Sequence, residues 1–450
     1  MINLKNIQNL YFVGIGGIGM SALARFFKLK GKSVYGYDKT QSELTNTLED
    51  EDIKIVFKDD ISLLPSGFSK ENTLVVYTPA IPSKSNILLH FKNENYKIVK
   101  RAELLGEVTK DTLCLAVAGT HGKTTTSAIL GHLMGESGMP VTAFLGGIAE
   151  NYNSNFISKG TEISVVEADE FDRSFLQLRP DIACVTSMDA DHLDIYGDAE
   201  HITDAFVAFS KLLEDPDKLL LKIGLPIDGK TVAIEEAADY EAQNVTIEDG
   251  IYVFDLKYPD GILKGLRFSL PGRHNLHNAI TALGMAILAG SPTDRLPDAL
   301  QSFKGVQRRF SYKIKTDTLV LIDDYAHHPT ELDALYQAVS EMYPDDKKLI
   351  VFQPHLFSRT RDFGPEFARS LSQFDEVVLL DIYPAREEPI DGITSQWLLD
   401  QIDNENKRMV FKSALPEIML ESNCRIKLVV GAGDIGAEVK HITKILRDEA

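Results

Sequence analysis

The sequence predicts an α/β chain of three domains, each built on a doubly wound, mostly parallel sheet. Three observations carry that expectation. Its 450 residues are more than one ordinary core accommodates. Two apolar strand patterns, at 11–15 and 113–118, each run into a glycine turn and then a helical pattern. From about residue 311, four more strand patterns alternate with helical ones.

Composition narrows the class of function. A net charge of −19 argues against a nucleic-acid partner or an anionic membrane surface. Cys114, Cys184 and Cys424 are far apart, and each lies in or beside an apolar run, as buried thiols of a reducing compartment do. No signal-peptide pattern and no apolar stretch of about 20 residues is present, so the expectation is a cytoplasmic protein without membrane insertion. Monomer and homodimer both stay open.

The first domain is expected at residues 1–105. Tyr11 to Ile15 reads as a strand, and Gly14 to Gly19 follows as G-x-G-x-x-G. A helix runs to about Leu29 and is closed by Gly31. Ser33 to Tyr37 is the next strand, with Asp38 at its end. Gly16, Gly17, Ile18 and Gly19 would hold a diphosphate, and Asp38 a sugar or a base. A nicotinamide dinucleotide and a UDP-sugar fit this turn equally well. After the strand Thr73 to Tyr77, the loop Thr78 to Pro82 is either a ligand loop or a proline-stiffened connection.

The central domain is expected at 106–310. Leu113 to Ala118 is a buried strand, Gly119-Thr120-His121-Gly122 a turn, and Lys123, Thr124, Thr125 and Thr126 open a helix to about Ser137. Strand, glycine turn and helix N-terminus together form an anion site. Lys123 reaches outer phosphates and the Thr124 hydroxyl suits Mg²⁺, although Val117 replaces the first glycine of the usual P-loop pattern. A strand at Glu162 to Val166 ends in Glu167-Ala168-Asp169-Glu170, hard oxygens suited to Mg²⁺ or else a solvated acidic turn. A strand at Ile182 to Val185 leads into Ser187 to Asp194, where His192 among aspartates is either a second metal ligand or structural. Residues 222–270 read as short strands without chemistry. Asn275 and Asn278 precede a helix expected at Ala279 to Ala289, where asparagine is ordinarily a cap.

The third domain is expected at 311–450, a second Rossmann-like sheet with strands near 319–322, 349–352, 376–380 and 427–430. Its strand ends carry Asp323 to Pro329, then Gln353-Pro354-His355 with Ser358, Arg359 and Arg361, and finally Gly431 to Asp434. Ligands of open α/β sheets gather at that edge.

Taken in order, GIGGIGMS, GTHGKTTT, EADEFD, MDADHLD, GRHNLHN, QRRF, DDYAHHP and QPHLFSRTRD resemble the motifs of the Mur ligases, ATP-dependent amide-forming enzymes of peptidoglycan synthesis. The likeness spans the chain. It implies an N-terminal Rossmann-like UDP-binding domain, a central P-loop ATPase-like domain and a C-terminal amino-acid domain, and so favours UDP over NAD. Within the family it points to the branch that joins L-alanine to UDP-N-acetylmuramate, rather than to the one that attaches a whole peptide. By the same resemblance Gly119 to Thr125 bind ATP as co-substrate, with Lys123 on the β/γ-phosphates. Two Mg²⁺ sites are implied, one on Thr124 and Glu167 and one served by His192, with Lys123, Glu167 and His192 catalytic. Asn275 and Asn278 would meet the adenine side, and Arg308 or Arg309 the phosphates. Asp324 would hold the nucleotide in a closed form. Tyr325, His327, His328, His355, Arg359 and Arg361 would line the amino-acid side. Some relatives support the second metal with a carbamylated lysine. Here the only lysine nearby, Lys211, ends an amphipathic pattern on its solvent side, so no carbamate is expected. The rival class, an NAD-dependent oxidoreductase, leaves the P-loop and the acidic strand tips unexplained.

Overall fold

The computed structural model describes residues 4–189, 199–248, 250–385 and 387–448. The chain forms two compact units, one of residues 1–245, 254–266 and 278–303, the other of 246–253, 267–277 and 304–450.

The N-terminal sheet contains β1 (Asn9–Val13), β2 (Ser33–Tyr37), β3 (Lys54–Val56), β4 (Thr73–Tyr77) and β5 (Lys97–Lys100). Its order is β3-β2-β1-β4-β5, all parallel. The helices are α1 (Ile18–Leu29), α2 (Glu43–Asp50), α3 (Asn86–Asn93) and α4 (Arg101–Thr109). Because β1 lies between β2 and β4, the chain leaves it in opposite directions, and the glycine turn sits where that edge opens. β1 stops at Val13, two residues before the expected Ile15. Gly14 turns left-handed at φ 90°, and the Gly14 and Ile15 amides both donate to the Tyr37 carbonyl, at 2.7 and 3.0 Å. Helix α4 runs across residue 105, where the first domain was expected to end.

The central sheet holds β6 (Leu113–Ala118), β7 (Val141–Ala149), β8 (Ser154–Ser158), β9 (Ile163–Glu167), β10 (Ile182–Val185), β11 (Leu219–Lys222), β12 (Lys230–Ile234), β13 (Tyr240–Glu248), β14 (Ile251–Tyr258) and β15 (Gly261–Phe268). The order is β15-β14-β13-β12-β11-β10-β6-β9-β7-β8. The helices are α5 (Lys123–Glu136), α6 (Ala199–Ser210), α7 (Arg273–Leu288) and α8 (Leu296–Gln301). β6 lies between β9 and β10, pairing Val117 with Glu167 and Ala118 with Val185. Register therefore delivers the acidic tip of β9 and the polar segment after β10 to either side of the phosphate loop. Every residue of α5 from Thr124 to Met134 is buried, so this helix has no solvent face to mark in the sequence.

One boundary needs correcting. α7 starts at Arg273, six residues before the expected Ala279, so Asn275 and Asn278 lie inside the helix and not at its cap. Gly272, left-handed at φ 93°, makes the entry turn, and its carbonyl accepts the Asn275 and Leu276 amides. Asn275 turns its own side chain back to the Pro271 carbonyl at 2.7 Å, which offsets its poor helix propensity.

The C-terminal sheet holds β16 (Ser311–Lys315), β17 (Val320–Asp324), β18 (Lys348–Phe352), β19 (Glu376–Leu379), β20 (Lys407–Met409) and β21 (Ile426–Val430). The order is β16-β17-β21-β18-β19-β20, with β16 the antiparallel edge. Its helices are α9 (Pro329–Met342), α10 (Phe357–Asp362), α11 (Gly364–Leu371), α12 (Ser395–Gln401), α13 (Leu415–Glu421) and α14 (Ile435–Asp448). β18 and β21 are buried along their whole length, as strands covered on both faces must be. Among the described residues no helix is long and apolar enough to cross a membrane.

Candidate active site

At the N-terminal glycine turn, Asp38 braces the loop itself. Its carboxylate accepts the Gly16 amide at 2.8 Å and the Thr40 amide at 3.1 Å. Gly17 caps α1 without a side chain, which leaves the opening amides of the helix, from Ile18 and Gly19 onward, ahead of its internal bonds. A Cβ on Gly19 would lie 2.9 Å from Nη1 of Arg101. Arg101 thus rests on the first turn of α1, and its Nη2 is 3.4 Å from Asp169 at the tip of β9. Asn155 of β8 reaches the same turn, donating to the Ile18 carbonyl and, at 2.9 Å, to Ser21 Oγ. Neither residue stands out in the sequence, because both come from outside the glycine motif.

The phosphate loop is shaped by two left-handed glycines, Gly119 at φ 133° and Gly122 at φ 85°. A side chain on Gly119 would overlap Thr186 Oγ1, and one on Gly122 would lie 2.6 Å from Asn278 Oδ1. Asn278 is therefore brought against the loop. Thr124, Thr125 and Thr126 follow in the buried first turn of α5.

Lys123 Nζ donates to the Gly119 carbonyl at 2.6 Å and to both oxygens of Glu170, at 2.9 and 2.7 Å. Burial alone would push this ammonium down. Glu170, Asp169 and Glu167 together outweigh it and hold the pKa above the ordinary lysine value. The partnership with Glu170 was not foreseen, since three neighbouring acids give no hint of which turns back to the lysine. Thr124 Oγ1 donates to the Glu167 carboxylate at 3.0 and 3.1 Å. That pairing gathers a hydroxyl and a carboxylate at one point, a hard-oxygen set that fits Mg²⁺. Gly146 of β7 makes room for it, because a Cβ there would overlap the Glu167 carboxylate. His192 lies outside the described residues. Asp189, on the same segment, lies with its Oδ2 3.6 Å from His121 Nε2.

A second polar cluster belongs to the C-terminal sheet. Arg308 and Arg309 place their guanidinium carbons 5.0 and 5.2 Å from the Tyr325 ring centre. Arg308 also faces Asp323 at 3.5 Å, and Arg309 faces Glu331 at 3.6 Å. Arg308 and Phe310 are both left-handed, at φ 60° and 49°, so the chain here holds a costly conformation. Asp324 accepts the Phe310 and Ala326 amides at 2.7 and 2.8 Å. Burial raises its carboxyl from 3.8 to about 6 against the pull of Arg309. His327 bonds the Tyr325 carbonyl at 2.9 Å and pairs with Glu331 at 3.2 Å. His355 is stacked on Tyr383 and sits 3.4 Å from Arg359. His328 caps α9, its Nδ1 accepting the Thr330 amide at 3.3 Å. Arg361 is half exposed and pairs with its neighbour Asp362. His274, unremarked in the sequence, lies exposed in the first turn of α7.

Comparison with known proteins places this arrangement. The profile of the Mur ligase family catalytic domain matches residues 9–112. That of the Mur ligase middle domain matches 117–286, and that described as Mur ligase, glutamate ligase domain matches 308–430. The chain is 59 % identical to the UDP-N-acetylmuramate–L-alanine ligase of Flavobacterium johnsoniae over 447 residues, 99 % of this chain and 100 % of that one. To the enzyme of the same name from Porphyromonas gingivalis W83 it is 47 % identical, covering 98 % and 99 %. The crystal structure of the UDP-N-acetylmuramate–alanine ligase of Thermotoga maritima superposes with a TM-score of 0.83 at 27 % identity, covering 98 % and 100 %. The murein peptide ligase of Psychrobacter arcticus, at TM-score 0.70, 20 % identity and 98 % coverage of both chains, shares the fold. With relatives this similar over their whole length, the chain belongs to the Mur ligase family.

Proposed function

We propose that this chain is an ATP-dependent ligase that joins L-alanine to the carboxylate of UDP-N-acetylmuramate, releasing ADP and phosphate, in peptidoglycan precursor synthesis. The observation that carries the reading is full-length identity of 57–59 % to three ligases of that name. The Lys123–Glu170 and Thr124–Glu167 pairs beside a left-handed glycine loop support it.

The chemistry follows from charge. A carboxylate is a poor electrophile, and transfer of the γ-phosphoryl from ATP gives an acyl phosphate with a good leaving group. The amine of L-alanine then attacks, and phosphate departs. Both steps concentrate negative charge, which fixed cations and amides stabilise best in a site closed to water. Lys123 exchanges Glu170 for the β/γ-phosphates when nucleotide enters. Thr124 and Glu167 hold one Mg²⁺, which supplies charge neutralisation at the phosphates. His192 serves a second. Asn275 and Asn278 meet the adenine side, Arg308 or Arg309 the phosphates, and Asp324 the bound nucleotide. Tyr325, His327, His328, His355, Arg359 and Arg361 form the amino-acid side. Residues 1–105, 106–310 and 311–450 divide the work between sugar nucleotide, ATP and amino acid. The enzyme acts in the cytoplasm, as monomer or homodimer.

The test supplies ATP, Mg²⁺ and UDP-N-acetylmuramate with L-alanine and the cell-wall tripeptide in competition. ADP, phosphate and the alanine amide are expected in equal amounts, and Lys123→Ala is expected to stay folded but inactive. AMP and pyrophosphate as products would end the acyl-phosphate scheme, and a preference for the tripeptide would reassign the acceptor. Lys211 is exposed, one residue beyond α6. Lys211→Ala should therefore keep near-normal turnover, and a large loss rescued by acetate or formate would place a carbamate there.

A further inference from the structure

The phosphate loop does not hold its own shape. The Thr120 amide donates to the Ser187 carbonyl at 3.1 Å, and the His121 amide to Ser187 Oγ at 2.7 Å. Ser187 Oγ also lies 2.9 Å from Thr120 Oγ1, which accepts the Asp189 amide at 3.0 Å. Thr186 Oγ1 bonds the Ala118 carbonyl at 3.1 Å and reaches the His121 carbonyl as well. Two consecutive hydroxyls on the segment after β10 thus engage the loop at every residue from Ala118 to His121 except Gly119. There the absent Cβ is what lets Thr186 approach.

The consequence concerns which amides remain for a nucleotide. Thr120 and His121 have given theirs to Ser187. The internal bonds of α5 begin with the Thr126 amide on the Gly122 carbonyl, at 2.9 Å. The amides from Gly122 to Thr125 therefore precede the helical ladder, as the donors of a helix N-terminus do. A loop free to rotate at His121 would not keep those donors convergent.

We propose that Ser187, supported by Thr186, is a positioning residue for the nucleotide. It fixes Thr120 and His121 so that the following amides and Lys123 face the phosphates. It also ties the loop to Asp189, so the loop and the start of the acidic segment move as one piece. The inference rests on the reading that residues 119–125 bind ATP.

The test measures ADP binding in EDTA by calorimetry, so that metal chemistry and turnover do not enter, together with UDP-N-acetylmuramate binding and melting temperature. Ser187→Ala removes the acceptor of the half-buried His121 amide and the partner of one hydroxyl, and ADP should bind about tenfold more weakly. Sugar-nucleotide affinity should stay within about twofold, and Ser187→Thr, which keeps the hydroxyl, should recover most of the ADP affinity. Unchanged ADP binding in Ser187→Ala overturns the proposal. So does equal weakening of both ligands, or failure of Ser187→Thr to recover. Should Ser187→Ala not fold, Thr186→Val removes the second hydroxyl, with the same expectation and the same overturning result. Absence of ADP binding by the unaltered protein would instead end the underlying reading of the loop.

Discussion

Asp324 shows how a single carboxyl can be held at a cost. Both of its oxygens accept backbone amides, at Phe310 and Ala326, yet burial still raises its pKa from 3.8 to about 6. The folded chain therefore binds this proton more tightly than the unfolded chain does. The resulting stabilisation is complete below the unfolded value and is lost as pH rises through about 6. Removing the group with Asp324→Asn should make the gap in stability between wild type and variant widen as pH falls from 7 to 4.5. The change is on the order of 2 kcal/mol, read by chemical denaturation at each pH. A gap that stays flat across this range would mean that Asp324 keeps an ordinary carboxylate pKa. The sequence marks Asp324 as polar at a strand end. It does not show that the carboxylate is spent on the chain's own amides, because one of them belongs to Phe310, placed by a strained turn at 308–310.

At the level of elements, contiguous motifs were legible and cross-strand partnerships were not. β6, its glycine turn and α5 stand in one stretch of sequence, and the structure keeps the strand and the helix start as expected, with the helix ending at Glu136 and Ser137 as its cap. The tip of β9 was legible as acidic, but the choice of Glu167 for Thr124 and Glu170 for Lys123 depends on the register of β6 with β9. The early start of α7 was hidden because asparagine is a better cap than helix residue, and Gly272 overrides that preference. Gly146 was invisible for a related reason. Its role is to lack a side chain where another strand's carboxylate passes, which no local pattern records. Gly146→Ala should displace Glu167, raise the Mg²⁺ concentration needed for half-maximal activity, and lower activity about 10- to 100-fold, with the melting transition still cooperative. Activity and Mg²⁺ dependence equal to wild type would show that Glu167 has another way to reach Thr124.

At the scale of the whole molecule, the glycine turn of α1 and the phosphate loop of α5 fall within one compact unit. α1 is the joint between their sheets. Phe26 packs against Phe144 of β7 and Phe156 of β8, with ring centres 5.5 and 6.4 Å away. Beside them Arg25, only 6 % exposed, is held between Glu51 at the end of α2 and Asn155 of β8. Burying that arginine is unfavourable unless both partners are in place. Asn155 serves it and, with the same amide group, the Ile18 carbonyl at the start of the nucleotide helix. The carboxylate to be activated and the ATP that activates it must meet within a fraction of an ångström, and a joint of this kind sets their spacing. Asn155→Leu should therefore raise the KM for UDP-N-acetylmuramate about tenfold while ADP affinity holds, and lower stability by about 2–4 kcal/mol because Arg25 loses a buried partner. Steady-state kinetics and denaturation read the two effects separately. Equal weakening of both ligands would mean that Asn155 supports the unit as a whole. No change in either would mean that the phenylalanines alone keep the two sheets in register.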